Sequence, residues 1–335
     1  MASTAQQIIR TVVGDVPAET TGYALIHEHL FCDLRPLAER SPLAVVDDAV
    51  MATLLPLLEE VRRAGAGLLL EPTPPGIGRH PLLYRRLSRQ SGVHVITSTG
   101  LYKEPLVPAF ASTRSVEELA DWMTAEIQLG ISPQALRPDF GGQRIPDLAD
   151  PEADPPVRAG VIKLAVSDDG LQGVEARALR AAVRAAARTG AAIISHAPRG
   201  PSALAQLDEL ERAGGDPSRF TVVHAHAEPD LSFHREYARR GAWVEYDAIG
   251  SRPDSVFVDL VLRMLDAGYA RQLLLSQDVV GWRHGMPGGG AGVRRFAYLF
   301  THFVPALHAA VVDQATIDLL LRDNPRRMVA LRQPG

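Results

Sequence analysis

The sequence predicts an α/β fold: a closed (β/α)₈ TIM barrel of eight parallel strands, preceded by a short N-terminal β-hairpin or cap. Three observations carry that expectation. The 335 residues are 46% hydrophobic and 22% charged, enough apolar material for a large core. Eight short runs rich in Val, Ile and Leu recur along the chain, too apolar on both faces for an open antiparallel sheet. Amphipathic stretches of helical period separate most of them.

In chain order, residues 1–22 read as the hairpin or cap. The apolar runs follow at 23–29, 67–73, 93–100, 160–166, 191–197, 220–227, 242–248 and 272–278, each ending in polar or ionisable residues. Helical periodicity covers 46–64, 116–129, 174–188 and 254–267, the third closed by Thr189-Gly190. An open doubly wound sheet is the competing arrangement, but no glycine-rich phosphate loop follows the first strand. Residues 131–158, rich in Pro, Asp and Gly, read as an irregular loop on the N-terminal, stability face of the barrel. No internal repeat interrupts this plan, so residues 1–335 are expected to form one domain.

Composition narrows the function classes. The net charge of −4, with basic residues spread along the chain, leaves no nucleic-acid footprint. No apolar run approaches the ~20 residues needed to cross a bilayer. Met1 to Arg10 is polar and carries no signal-peptide pattern, and Cys32 is the single cysteine. A cytoplasmic location and a small-molecule substrate are the resulting expectations.

Catalytic groups of such barrels gather at the C-terminal ends of the strands. Reading only those ends selects His27, His29, Lys163, His196, His226 and Asp278. His27 and His29 are two apart, so on a strand both face one way and can grip one ion. Lys163 lies within Ala159-Gly-Val-Ile-Lys-Leu-Ala-Val166, where an unpaired ammonium is costly and burial makes the neutral amine accessible. A neutral amine can add carbon dioxide to give a carbamate, an anion with two oxygens able to bridge two metals. Neutralisation of the ammonium by a carboxylate such as Asp278 is the other reading of this residue.

These residues, with their surroundings, resemble the phosphotriesterase-related family of the amidohydrolase superfamily, which includes the phosphotriesterase-like lactonases. The motifs are Ile26-His-Glu-His-Leu30, Glu71-Pro-Thr-Pro-Pro-Gly-Ile-Gly-Arg79, Ser98-Thr-Gly-Leu-Tyr102, Gly160-Val-Ile-Lys163, Ser195-His196, Val223-His-Ala-His226, Tyr246-Asp247, Leu275-Ser-Gln-Asp278 and Asn324-Pro-Arg-Arg327. The resemblance implies two divalent metal ions. His27, His29 and Asp278 would hold the more buried one, and His196 and His226 the other. Lys163, as N6-carboxylysine with a CO2-derived carbamate, and a hydroxide would bridge them. Asp278 would then carry the hydroxide's proton towards the leaving group. Zinc suits imidazole and carboxylate ligands, and manganese, iron or cobalt fit the same set. The resemblance further implies that His224 packs beside the site rather than in it, and that homodimers are common among such barrels.

Departures bear on the substrate. Relatives acting on phosphotriesters often follow the strand-7 aspartate with histidine or arginine, whereas Asp247 is followed by Ala248. Pro229 stands where an acidic relay residue is often found, and Gln277 and His80 replace commoner residues. Hydrolysis of a lactone or other carboxylic ester is therefore expected ahead of N-acyl amide or phosphotriester hydrolysis. A mononuclear deaminase and a non-catalytic small-molecule-binding barrel are the remaining rivals. Tyr102 after the third strand, Arg252 after the seventh, and Trp282 and Arg283 in the glycine-rich loop after the eighth are candidate substrate contacts. That last loop reads as a lid.

Overall fold

A computed structural model describes residues 7–39, 48–131, 155–290 and 294–332. Within them the apolar runs become strands, for the reason they were recognisable: each is buried on both faces. An antiparallel hairpin, β1 (Ile8–Thr11) with β2 (Gly14–Pro17), comes first. The barrel strands are β3 (Tyr23–Leu25), β5 (Ala66–Glu71), β6 (His94–Gly100), β7 (Val161–Ala165), β8 (Ala192–His196), β9 (Phe220–Val223), β10 (Trp243–Tyr246) and β11 (Leu273–Leu275). They pair in parallel in sequence order, from β3 through to β11. Two short strands, β4 (His29–Cys32) and β12 (Val280–Arg283), extend the chain beyond β3 and β11 and pair with each other, also in parallel. Backbone bonds from Asp278 to His27 and from His29 to Val279 join the first and last strands, closing the (β/α)₈ barrel.

Helices α1 (Asp48–Arg63), α2 (Pro81–Ser91), α3 (Ala109–Thr113), α4 (Val116–Gln128), α5 (Gly173–Thr189), α6 (Gly200–Arg212), α7 (Leu231–Arg239) and α8 (Asp254–Asp266) return the chain between strands. Their limits follow local chemistry. A Ser115/Glu118 capping box starts α4, and Gly190 in the left-handed region, φ 72°, ends α5. At α2, His80 replaces the expected acid and still caps the helix, its Nδ1 accepting the Leu83 N–H at 3.3 Å. Burial pushes the His80 pKa down to about 4, so the ring stays neutral and able to accept. Most of the 131–158 loop lies outside the described residues, as does the start of the 46–64 helix. No helix among the described residues is long and apolar enough to cross a membrane.

Strand alternation divides the core in two. Leu68, Leu70, Ile96, Val161, Ile194, Val223, Trp243 and Leu274 fill the barrel interior. Their neighbours along the strands, such as Leu69, Val95, Ile162, Leu164, Val222 and Val244, pack outward against the helices. The inner column determines what stands above it.

Candidate metal centre

Two residues beyond Val161, Ile194 and Trp243 on the same inward face come Lys163, His196 and Glu245. Lys163 is 2% exposed, seated on the apolar column. Gly100 admits β6 at this level, because a Cβ there would run into the Lys163 carbonyl oxygen. Burial drives the Lys163 amine down, while Glu245, Asp278, Asp247 and Glu71 pull it up, and burial prevails.

His27 and His29 reach the site without a shared strand. β3 ends at Leu25, the backbone bends at His27, and β4 begins at His29. Both rings turn to one point all the same: His27 Nε2 is 3.6 Å, and His29 Nε2 3.3 Å, from the same Asp278 Oδ1. The other ring nitrogens are tied elsewhere. His27 Nδ1 lies 2.6 Å from Glu245 Oε1, and His29 Nδ1 lies 2.6 Å from the Thr73 hydroxyl oxygen. Thr73 gives its own proton to Glu71, so His29 Nδ1 is the donor to Thr73. Burial alone lowers His29, but Asp278 and Glu71 outweigh it and raise the ring to about 9. His27 falls well below the ordinary histidine value, through burial and then the Lys163 charge.

Asp278 follows β11 with φ 49°, a left-handed conformation that a non-glycine residue keeps only when its surroundings impose it. Glu28, the residue between the two histidines, imposes it. Its carboxyl accepts the N–H groups of Gln277 at 3.0 Å and Val279 at 2.8 Å, and the Ser276 hydroxyl at 2.9 Å. Asp278 N–H donates to the His27 carbonyl at 3.0 Å. Burial pushes the Glu28 carboxyl up to about 8.

On the opposite side, His196 ends β8 and meets the rings of His224 at 4.5 Å and Tyr102 at 5.7 Å. Burial, with His224 and Lys163 nearby, pushes His196 down to about 2. The structure brings His224, not His226, to the cluster, the reverse of the sequence expectation. His27, His224 and Asp278 each offer a donor atom within 4.8 Å of the others. The reason is local. β9 stops at Val223, and His224 turns left-handed at φ 64° into a short 3₁₀ turn, Ala225–Ala227. The two-residue period of a strand no longer applies, so the rings diverge. Asp247 grips His224 twice, accepting its N–H at 3.1 Å and facing its Nδ1 at 2.9 Å. His226 lies beside Phe257, its Nδ1 3.2 Å from Asp247 but not aligned for a hydrogen bond.

Glu245 and Asp247 divide their charge unequally. Burial and the Asp247 charge raise Glu245 well above the carboxylate range. Burial raises Asp247 too, but the histidines around it win and hold it well below that range. These residues suit divalent cations. Imidazole nitrogens and a carboxylate oxygen converge, four carboxylates surround one lysine, and the buried Glu245 Oε2 has no hydrogen-bond donor among the described residues.

Among the candidate substrate contacts, Tyr102 stands against His196, and burial followed by the Asp278 charge pushes its hydroxyl up to about 12. Trp282 and Arg283 belong to β12, which pairs with β4, so the start of the expected lid is an anchored strand. A Cβ on Gly289 would collide with the Trp282 ring, so the returning loop packs on that side chain. Arg252 is exposed on the loop between β10 and α8. Sequence reading passed over Glu28, Glu71, Thr73 and Glu245. The available signal was an acid inside or beside an apolar strand, which is costly unless something there uses it.

The phosphotriesterase family model matches residues 7–140 and 142–329. The chain is 29% identical over 311 residues to the "Phosphotriesterase homology protein" of Escherichia coli (strain K12), covering 92% of this chain and 97% of that one. It is 26% identical to a "Phospho-furanose lactonase" of Mycoplasmopsis agalactiae, over 98% of this chain and 93% of the other. An "N-acetyltaurine hydrolase" of Rattus norvegicus is 25% identical, over 97% of this chain and 98% of its own.

Proposed function

Since the chain belongs to the phosphotriesterase family and is a hydrolytic enzyme, we propose that it depends on two divalent ions and cleaves a lactone or other carboxylic ester. The observation that carries this reading is the approach of His27 Nε2 and His29 Nε2 to one Asp278 oxygen, at 3.6 and 3.3 Å, above a buried lysine. In this reading His27, His29 and Asp278 hold one ion and His196 and His224 the other, with Lys163 between them as a carbamate. When bound, the ions, zinc or else manganese, iron or cobalt, supply Lewis acidity towards the scissile carbonyl and acidify the attacking water.

The chain's own groups do the rest. Asp278, with a side chain 34% exposed, accepts the water's proton and returns it to the departing alkoxide, so that C–O cleavage balances. Tyr102, protonated up to about 12, offers its hydroxyl to a substrate oxygen beside His196. Arg283 and Arg252, both exposed, are suited to an anionic group on the substrate, and Trp282 to its apolar part. Asp247 is engaged by His224 and followed by Ala248, where relatives acting on phosphotriesters often carry a histidine or arginine. That favours carboxylic esters over phosphotriesters. Hydrolysis of an N-acyl amide is the second reading, supported by the likeness to an N-acetyltaurine hydrolase.

The test is turnover by zinc-loaded protein on a panel of acyl-homoserine, aliphatic and sugar lactones, N-acyl amino acids, N-acyl taurine and phosphotriesters. Lactones are expected to give the highest kcat/KM. Turnover of amides alone would establish the second reading, and a metal content near one per chain would favour a mononuclear deaminase-like site.

A further inference from the structure

We infer that Glu245 and Asp247 are positioning residues, each fixing the proton on one histidine so that the ring's other nitrogen faces an ion. The inference rests on the two-ion reading and assigns one carboxylate to each ion. Glu245 on β10 is the acid nearest His27 Nδ1, at 2.6 Å, whereas Asp247, just past the strand, is 3.3 Å from that atom and 2.9 Å from His224 Nδ1.

Hydrogen-bond capacity carries the argument. A neutral ring whose Nε2 faces a cation carries its proton on Nδ1, and Glu245 Oε1, 2.6 Å away, is placed to accept it. The lone pair is left on Nε2, which faces Asp278 Oδ1 at 3.6 Å, lone pair towards lone pair, with room for a cation to relieve the repulsion. Asp247 does the same for His224 at 2.9 Å, and its second oxygen holds the His224 backbone N–H at 3.1 Å. That second bond fixes the left-handed residue from which the ring projects. Packing does not account for Glu245. It is fully buried, its Oε2 has no hydrogen-bond donor among the described residues, and an apolar side chain would fill the same space at lower cost. A carboxylate behind a ligating imidazole orients the ring and raises its basicity, and its loss weakens metal binding by about 10–100-fold.

The experiment is zinc titration against a competing chelator, with wild-type protein, Glu245→Ala and Asp247→Ala. Wild type is expected to bind two ions. Each variant is expected to lose about 10–100-fold in affinity at one ion, a different ion in each case. Glu245→Gln, which keeps an acceptor without the charge, is expected to recover part of the loss. A wild type that binds no zinc would sink the two-ion reading, and this inference with it. Two ions in wild type with affinities unchanged within threefold in both variants would overturn this inference alone, and so would both variants weakening the same ion. Should a variant fail to fold, ¹⁵N-histidine spectra of zinc-loaded wild type decide the matter. His27 and His224 are expected to be protonated at Nδ1 and ligated through Nε2; ligation through Nδ1 at either overturns the proposal.

Discussion

The two sides of the centre are built unequally. On the side of His27, His29 and Asp278, every group has a named support: Glu245 behind His27, Thr73 and Glu71 behind His29, and Glu28 clamping the backbone around Asp278. On the other side, Asp247 supports His224, while the His196 ring, among the described residues, has ring contacts with His224 and Tyr102 but no hydrogen bond. A ligand whose position is set before the ion arrives loses less freedom on binding. In the two-ion reading proposed above, the first side is a preorganised socket and the second would be completed by the ion itself.

The largest expected effect comes from Lys163→Met, which removes the proposed link between the two sides. Elemental analysis is expected to give about one ion per chain, retained by the supported side, and turnover is expected to fall roughly 10³-fold or more. Two ions in that variant would break the comparison. Next, His224→Ala is expected to lower kcat/KM by about 10²-fold, some 3 kcal/mol, while His226→Ala stays within about threefold of wild type. The opposite ranking would return the site to the arrangement expected from sequence. Third, Glu28→Ala leaves the N–H groups of Gln277 and Val279 without an acceptor in a buried turn. Urea denaturation is expected to show a loss of about 1–3 kcal/mol.

The smallest effect is the pH dependence of the metal-free fold, where His29 acts in one direction and His27 and His196 in the other. His29, raised to about 9, favours folding fully below its unfolded value near 6.5 and loses that contribution as pH rises from there to about 9. Glu28, raised to about 8, has the same sign over a lower window: its contribution is full below its unfolded value near 4.5 and is lost as pH rises from there to about 8. His196, lowered to about 2, does the reverse: the unfolded ring takes up a proton below about 6.5, so stability falls towards acid pH. Each proton sets a limiting slope of about 1.4 kcal/mol per pH unit. Denaturation of chelator-treated protein should show His29→Ala flattening the alkaline limb and His196→Ala the acid limb. Identical profiles for the two variants would break that opposition.

Much of this was legible from residue order. Eight apolar runs with helices between them specify a barrel, because a strand buried on both faces has few other places to go. The strand ends then named His27, His29, Lys163, His196 and Asp278, all of which the structure gathers at one rim. Its choice between His224 and His226 could not be read in advance. It turns on where β9 stops and on one backbone angle, φ 64° at His224, imposed by Asp247 from the neighbouring strand end. The lid was misjudged at its start for a similar reason, since the pairing of Val280–Arg283 with His29–Cys32 joins segments some 250 residues apart.

By itself the sequence determined the barrel, the rim and the chemical kind of the donors, because periodicity and burial act over a few residues at a time. Tertiary structure decided which nitrogen of each ring faces inward, which of two histidines reaches the cluster, and which acids stand behind them. Those choices depend on hydrogen bonds between strands far apart in the chain, and a hydrogen bond is set by distance and angle, which spacing along the chain does not encode.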